Sequence, residues 1–229
     1  MKNFIIKSGI IVALLLSCHF THAQDWPNLS RFSNENAALK APAKNEARVV
    51  FMGNSITEGW IKKHPEFFAG KPYLDRGISG QTTPQMLIRF RADVIHLQPK
   101  VVVILAGTND IAGNTGPSTL EMIEDNIASM TEIAQANGIK VVLSSVLPVY
   151  DYPWKKGLEP AEKIIALNAW IKEYCAKKKI IYVDYFSAMV DERKGLKAEL
   201  TYDGVHPNLT GYMVMEPLVE KAIQKALSK

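Results

Sequence analysis

Ser55 lies in Gly53-Asn54-Ser55-Ile56-Thr57, directly after Arg48-Val49-Val50-Phe51-Met52. That preceding run is short, apolar and rich in β-branched residues, and it reads as a buried parallel strand. A serine on the tight turn between such a strand and a helix holds its hydroxyl and its own N–H at the carboxyl edge of the sheet, where open α/β sheets bind ligands. Ser55 is therefore a candidate nucleophile, although a lone Gly-x-Ser is more often a helix cap, a role Thr57 also suits. Acyl transfer through a serine further needs a base, a group that orients the base, and donors for the oxyanion. Asp203 and His206 sit three residues apart in Asp203-Gly204-Val205-His206-Pro207-Asn208. The carboxylate can there hold one ring nitrogen and fix the tautomer, freeing the other nitrogen for Ser55. Taken alone, His206 reads equally as a turn or cap residue. His96 follows Asp93 by three residues, but both fall in a helix expected to run to Pro99, which predicts a surface pair far from Ser55. His64 precedes Pro65, with only Glu66 nearby. The histidines have no metal-ligand spacing, and no metal or other cofactor is expected.

Two further segments occur between these: Gly77-Ile78-Ser79-Gly80-Gln81-Thr82-Thr83 and Gly107-Thr108-Asn109-Asp110. In order, the four segments resemble the signature blocks of the SGNH hydrolases, also called GDSL-type esterases and lipases, and the resemblance runs from Val49 to about His206. It implies a serine-dependent carboxylic ester hydrolase with Ser55, Asp203 and His206 as the catalytic residues. The oxyanion hole it implies is the Ser55 N–H, the Gly80 N–H and the Asn109 side-chain amide. Glycine lets the backbone approach a substrate without a Cβ in the way, and an asparagine is a neutral donor that leaves the histidine undisturbed. Asp110 is expected to cap the turn that follows it. Many members carry Asp where this chain has Asn54, which removes a negative charge beside the serine but no catalytic group. Nothing resembles a nucleotide-binding loop, since Gly-Lys-Ser/Thr and Gly-x-Gly-x-x-Gly are both missing after the strands.

The elements that must position these residues follow from apolar periodicity. Strands are expected at Arg48 to Met52, Tyr73 to Arg76, Val101 to Leu105, Lys140 to Ser144 and Ile180 to Asp184. Helices are expected from Ser55 to Lys63, from Thr83-Pro84 towards Pro99, over Pro117 to Asn137, over Pro160 to Lys178, and from about Thr210 to the C-terminus. Strands alternating with helices and joined by right-handed crossovers make an α/β three-layer sandwich, with a parallel five-stranded sheet between two helical layers. The flavodoxin-like strand order 2-1-3-4-5 is what the resemblance implies.

The chain has 229 residues, 47% of them hydrophobic and 22% charged, which suits one globular domain. Residues 47–229 are read as that domain and 24–46 as an N-terminal arm with one short helix. Residues 1–23 read as a signal peptide: Lys2 and Lys7, an apolar core from Ile10 to Leu16, and a small-residue site ending at Ala23. The alternative is a lipoprotein leader ending before Cys18. Either reading exports the protein, to the periplasm or outside the cell, with a membrane attachment only if Cys18 is lipidated. The formal charge of +4 drops when Lys2 and Lys7 leave, too mild a balance to imply nucleic acid. Cys175 lies in a helical apolar pattern and reads as a buried structural thiol.

The substrate is expected to be a small-molecule or carbohydrate ester carrying a short acyl group, most plausibly acetyl. Gln81-Thr82-Thr83, Asn114-Thr115-Gly116 and Asn208 are expected to border Ser55 with small polar groups, and Tyr150, Tyr152 and Trp154 to offer rings on which a sugar stacks. Those three aromatics equally suit a loop pinned to the sheet edge. Other functions compatible with the same blocks are a lysophospholipase or thioesterase, an acyltransferase, and a non-catalytic glycan-binding protein.

Overall fold

The computed structural model describes residues 24–228. The signal-peptide and lipoprotein readings, Cys18 included, fall on residues 1–23 and lie outside the described residues. Five parallel strands form one sheet in the order β2-β1-β3-β4-β5: β1 (Val49–Gly53), β2 (Tyr73–Gly77), β3 (Val101–Leu105), β4 (Lys140–Ser144) and β5 (Ile181–Val183). The helices are α1 (Ser33–Ala38), α2 (Ser55–Lys63), α3 (Thr83–Asp93), α4 (Thr108–Ile111), α5 (Leu120–Ala136), α6 (Ala161–Lys178), α7 (Tyr185–Met189) and α8 (Leu209–Leu227). The three-layer sandwich and strand order are those expected.

Both faces of the sheet are covered, so the central strands are apolar on each side. Alternation along β1 and β3 divides the core in two. Val50, Met52, Val102 and Ile104 pack with α3, α5 and α6, whereas Val49, Phe51, Val101 and Val103 pack with α2 and α8. β3 pairs with β1 and β4 and is buried along its whole length, which explains why its five residues carry no polar side chain.

One helix boundary differs from expectation. α3 ends at Asp93, and Ile95–Leu97 form a separate 3₁₀ turn. Asp93 is buried and pairs with Arg89 (3.0 Å), one turn earlier, so the expected Asp93–His96 surface pair does not form. Arg89 is itself fully buried. Its Nη2 donates to the carbonyls of Gly53 (3.0 Å) and Arg76 (2.8 Å), at the carboxyl ends of β1 and β2. Its Nε donates to Gln81 Oε1, on the loop that follows β2. The N-terminal arm fastens to the same cluster: Asn36 donates to Asp93 Oδ1 (2.7 Å) and accepts from Arg76, and Gln81 donates to the Pro27 carbonyl (2.7 Å).

Removing the guanidinium leaves Asp93 as a buried carboxylate without its cation, held by Asn36 alone, and takes one donor from each of two strand-end carbonyls, of which Gly53 keeps the Ile78 N–H (3.1 Å). Arg89→Met is therefore expected to lower stability by about 3–5 kcal/mol, read as a lower urea midpoint with an unchanged slope.

Asp75, on edge strand β2, gives a prediction of opposite sign. Burial pushes its carboxyl up to about 7 from an ordinary value of 3.8, against the opposing pull of the Gly77 N–H and Arg76. The folded chain thus holds a proton that the unfolded chain releases, so this group's contribution is fully present below about pH 4 and is lost as pH rises towards 7. The slope is at most about 1.4 kcal/mol per pH unit. Asp75→Asn keeps an acceptor for the Gly77 N–H, 2.7 Å away in the parent. It should stabilise the protein more at pH 8 than at pH 5 in paired urea titrations, and an equal effect at both would refute the assignment.

Candidate active site

Ser55 opens α2, and the Asn54 side chain caps that helix by accepting from the Ile56 N–H (3.0 Å). The amide in place of a carboxylate therefore keeps the cap that an aspartate would make. The distant C-terminal loop is brought to Ser55 by α8. Its Tyr212 hydroxyl donates to the Ile56 carbonyl (2.8 Å), and its ring stacks on Trp60 of α2. Glu216 accepts from Trp60 Nε1 and lies 2.6 Å from His64 Nδ1, so His64 belongs to this helix contact rather than to Glu66 alone. Asn208 caps α8 by accepting from Gly211 N–H (3.0 Å), which draws it away from the position expected for it beside Ser55.

With α8 docked in this way, Ser55 Oγ is 2.9 Å from His206 Nε2, and His206 Nδ1 is 2.7 Å from Asp203 Oδ2. Asp203 Oδ1 accepts the main-chain N–H groups of Val205 (2.9 Å) and His206 (2.7 Å), which fix the carboxylate in the ring plane's reach. Burial alone would raise the Asp203 carboxyl. The backbone N–H of His206, its imidazole and the Val205 N–H outweigh that and hold it below the usual carboxylate value. The group thus stays ionised through neutral pH, which the orienting role expected of it requires.

Asn109 Nδ2 donates to the Gln81 carbonyl (2.9 Å), which fixes the amide and spends one of its two N–H groups. Gly80, Asn109 and Ser55 line one cavity of about 530 Å³ together with His206. Gly80 has φ +78°, and a Cβ built there would meet no atom within 4 Å. The glycine is therefore required by its backbone conformation and faces open space on the cavity side. Asp110 does not cap its own turn as expected. It accepts from Thr83 N–H (2.9 Å) and Thr83 Oγ1, tying the Asn109 segment to the start of α3 while burial pushes its carboxyl up to about 6. Gln81, Thr82 and Thr83 are buried in these contacts and do not border the cavity, whereas Asn114 does.

The three aromatic candidates separate. Tyr152 is 0% exposed; its hydroxyl donates to the Thr108 carbonyl (2.8 Å) and meets Thr108 Oγ1, so it anchors the loop and is not a sugar platform. Tyr150 is 55% exposed but lies under the Arg193 guanidinium, outside the cavity. Trp154, 47% exposed, does line the cavity, with its ring 6.0 Å from that of His206.

Sequence reasoning passed over Glu58, Gly59, Lys62, Lys63 and Tyr202. The first four lie at i+3, i+4, i+7 and i+8 from Ser55, the helical face that Ser55 itself occupies, and that spacing was the available signal. Glu58 accepts from the Ser79 N–H (2.8 Å) and hydroxyl and pairs with Lys62 (2.6 Å), so it ties the loop that carries Gly80 to the helix that carries Ser55. Tyr202 stacks on His206 at 5.7 Å and 12°.

A model of the GDSL-like lipase/acylhydrolase family matches residues 51–214. The chain belongs to that family. Its members are carboxylic ester hydrolases, and this GDSL hydrolase is one of them. A solved GDSL-like lipase from Bacteroides thetaiotaomicron is 52% identical to it, with a TM-score of 0.85 over 87% of this chain and 98% of that one. Esterase TesA of Pseudomonas aeruginosa is 29% identical over 163 residues, 69% of this chain and 74% of TesA. An uncharacterized lipoprotein, YqeF of Bacillus subtilis, is 33% identical over 81 residues, 34% of this chain and 33% of YqeF. Among the described residues no group of three or more His, Cys, Asp or Glu side chains is placed to hold a metal ion, and no helix is long and apolar enough to cross a membrane. Cys175 is buried and its thiol is pushed up to about 12 by burial, which suits packing and not nucleophilic attack.

The separation of Tyr152 from Trp154 is testable in this GDSL hydrolase. Tyr152→Phe should cost about 1–3 kcal/mol of stability by leaving the buried Thr108 Oγ1 without a partner, while the Thr108 carbonyl keeps the Ala112 N–H. Trp154→Ala should leave stability within about 0.5 kcal/mol and raise KM instead. Thermal melts alongside ester kinetics check both.

Proposed function

We propose that the protein is an exported serine esterase that removes a short acyl group, acetyl being the best fit, from a carbohydrate through an acyl-enzyme on Ser55. The observation that carries the reading is the Ser55–His206–Asp203 relay, at 2.9 and 2.7 Å, beside a cavity whose lining contains no aliphatic side chain.

In this mechanism Ser55 Oγ attacks the ester carbonyl as His206 Nε2 takes its proton, and Asp203 stabilises the imidazolium that forms. The negative charge gathers on the former carbonyl oxygen, which accepts from the Ser55 N–H, the Gly80 N–H and the remaining N–H of Asn109. As the tetrahedral intermediate collapses, His206 returns the proton to the departing alcohol, leaving the acyl group on Ser55. A water molecule, deprotonated by His206, repeats the attack and frees the acid and the serine.

Acyl length follows from the lining. Each methylene buried gains about 0.8 kcal/mol, and the apolar surface on offer here is that of the Trp154 and Tyr202 rings and the lysine stems, with no aliphatic pocket for a long chain. The side chains around Ser55 are Ser79, Asn109, Asn114 and two lysines, with glycines between, and Trp154 and Tyr202 stand at the opening. Rings exposed at an opening suit the flat apolar faces of a sugar. Export rests on the sequence of residues 1–23 and is supported by the likeness to a lipoprotein over part of its length.

Ser55→Ala should abolish hydrolysis of p-nitrophenyl acetate while the urea midpoint stays nearly unchanged, since one half-buried hydroxyl at the cavity is lost and no core contact. With the parent enzyme kcat/KM should fall steeply from acetate to octanoate, and acetylated oligosaccharides should be deacetylated. Rates that hold or rise with chain length would overturn the short-acyl reading in favour of a lysophospholipase or thioesterase.

A further inference from the structure

Resting on the esterase reading above, we propose that the alcohol half of the substrate bears a carboxylate read by Lys63, so that the sugar is an acidic one. The argument begins with where that half must lie. His206 Nε2 hands its proton to the departing oxygen, so the alcohol leaves past His206, between the two rings that flank it: Tyr202 stacked at 5.7 Å and Trp154 at 6.0 Å. Lys63 lines the same cavity, and its ammonium lies over the Tyr202 ring, 5.4 Å from the centroid. The cation thus stands one ring away from the group that protonates the leaving oxygen, a span that one or two sugar residues cover.

The charges around the opening leave this cation without a carboxylate. Glu58 is committed to Lys62 (2.6 Å) and to Ser79, and Asp203 to His206. Asp151 spends its oxygens on the N–H groups of Tyr152 (3.0 Å), Gly157 (2.8 Å) and Leu158 (3.3 Å). Lys63 has no acidic side chain within ion-pair distance among the described residues, and its only close partner there is the face of Tyr202. The other lysine of the cavity lining, Lys62, is neutralised by Glu58 (2.6 Å), which leaves Lys63 as the uncompensated cation of that lining. An uncompensated ammonium in the wall of a cleft raises the local concentration of anions and favours an anionic substrate over a neutral one. The same rings that flank the leaving group favour a sugar as the carrier of that charge, since Tyr202 is 62% exposed and no aliphatic wall is present for a lipid chain.

The experiment compares an O-acetylated uronic-acid oligosaccharide with an O-acetylated neutral oligosaccharide of equal length, using p-nitrophenyl acetate to report the basic esterase activity. At low ionic strength kcat/KM for the acidic sugar should exceed that for the neutral one by about two- to fivefold, the scale of one exposed ion pair. The ratio should shrink in about 0.5 M salt, where exposed charges are screened. Lys63→Glu should reverse the preference and Lys63→Arg should retain it. Equal rates on the two sugars, or a ratio insensitive to salt and to Lys63→Glu, overturn the charge reading and leave the acetylesterase intact. Faster turnover of an anionic lysophospholipid than of the acidic sugar also overturns it. If p-nitrophenyl acetate is cleaved and neither sugar is, the carbohydrate reading falls and this one with it.

Discussion

The carboxyl ends of β1 and β2 carry the two turns that must converge on one substrate, and the Gly53 and Arg76 carbonyls there accept from a single Arg89 nitrogen inside the protein. Carbonyls at a buried strand end need donors, and a loop that has to keep its shape cannot supply all of them. Arg89 meets that need from α3, satisfies Gln81 on the following loop, and is itself balanced by Asp93. The Ser55 turn, the Gly80 loop and the N-terminal arm therefore share one polar anchor. A fully enclosed ion pair of this kind is weak evidence for net stability, but it is strong in geometry, because neither partner can leave without stranding the other.

Around that anchor the site is held by rigid elements. α2 presents Ser55 at its first residue and, one turn on, the Glu58 carboxylate that holds Ser79. α8 contacts the same helix through Tyr212 and Glu216, and the loop just before it brings His206 across a sequence separation of 151 residues. Ser55, Ser79 and His206 are thus placed by helices packed on a sheet, which keeps reorganisation small in the reaction proposed for them.

Most of this was legible in the sequence where a residue's role depends on its neighbours along the chain. The unbroken apolar run at Val101 to Leu105 marked the central strand, and Asp203 and His206 sit three residues apart because a single turn joins them. Roles set across the fold were hidden. Tyr152 and Trp154 are two residues apart in one aromatic loop, yet Thr108, 44 residues away, takes one into the core, and the other is left at the cavity. Asp93 looked like a partner for His96 because both seemed to lie on one helix. The helix stops at Asp93, and the buried guanidinium of Arg89 is the stronger claim on its charge. Glu58 was overlooked because its purpose lies in a loop 21 residues further on.

The loop from Asp151 to Gly157 is folded mainly against itself: Asp151 gathers N–H groups from both of its ends, and Tyr152 pins it to the floor of the site. The residues between those fixings, Pro153 to Lys156, lie outside the Ser55–His206–Asp203 relay, and all four are exposed. Divergence within this short stretch can thus remodel what the enzyme meets at its entrance while the chemistry behind it stays as it was. A lineage facing a new mixture of esters has in this hairpin a place to vary that does not put the inherited reaction at risk.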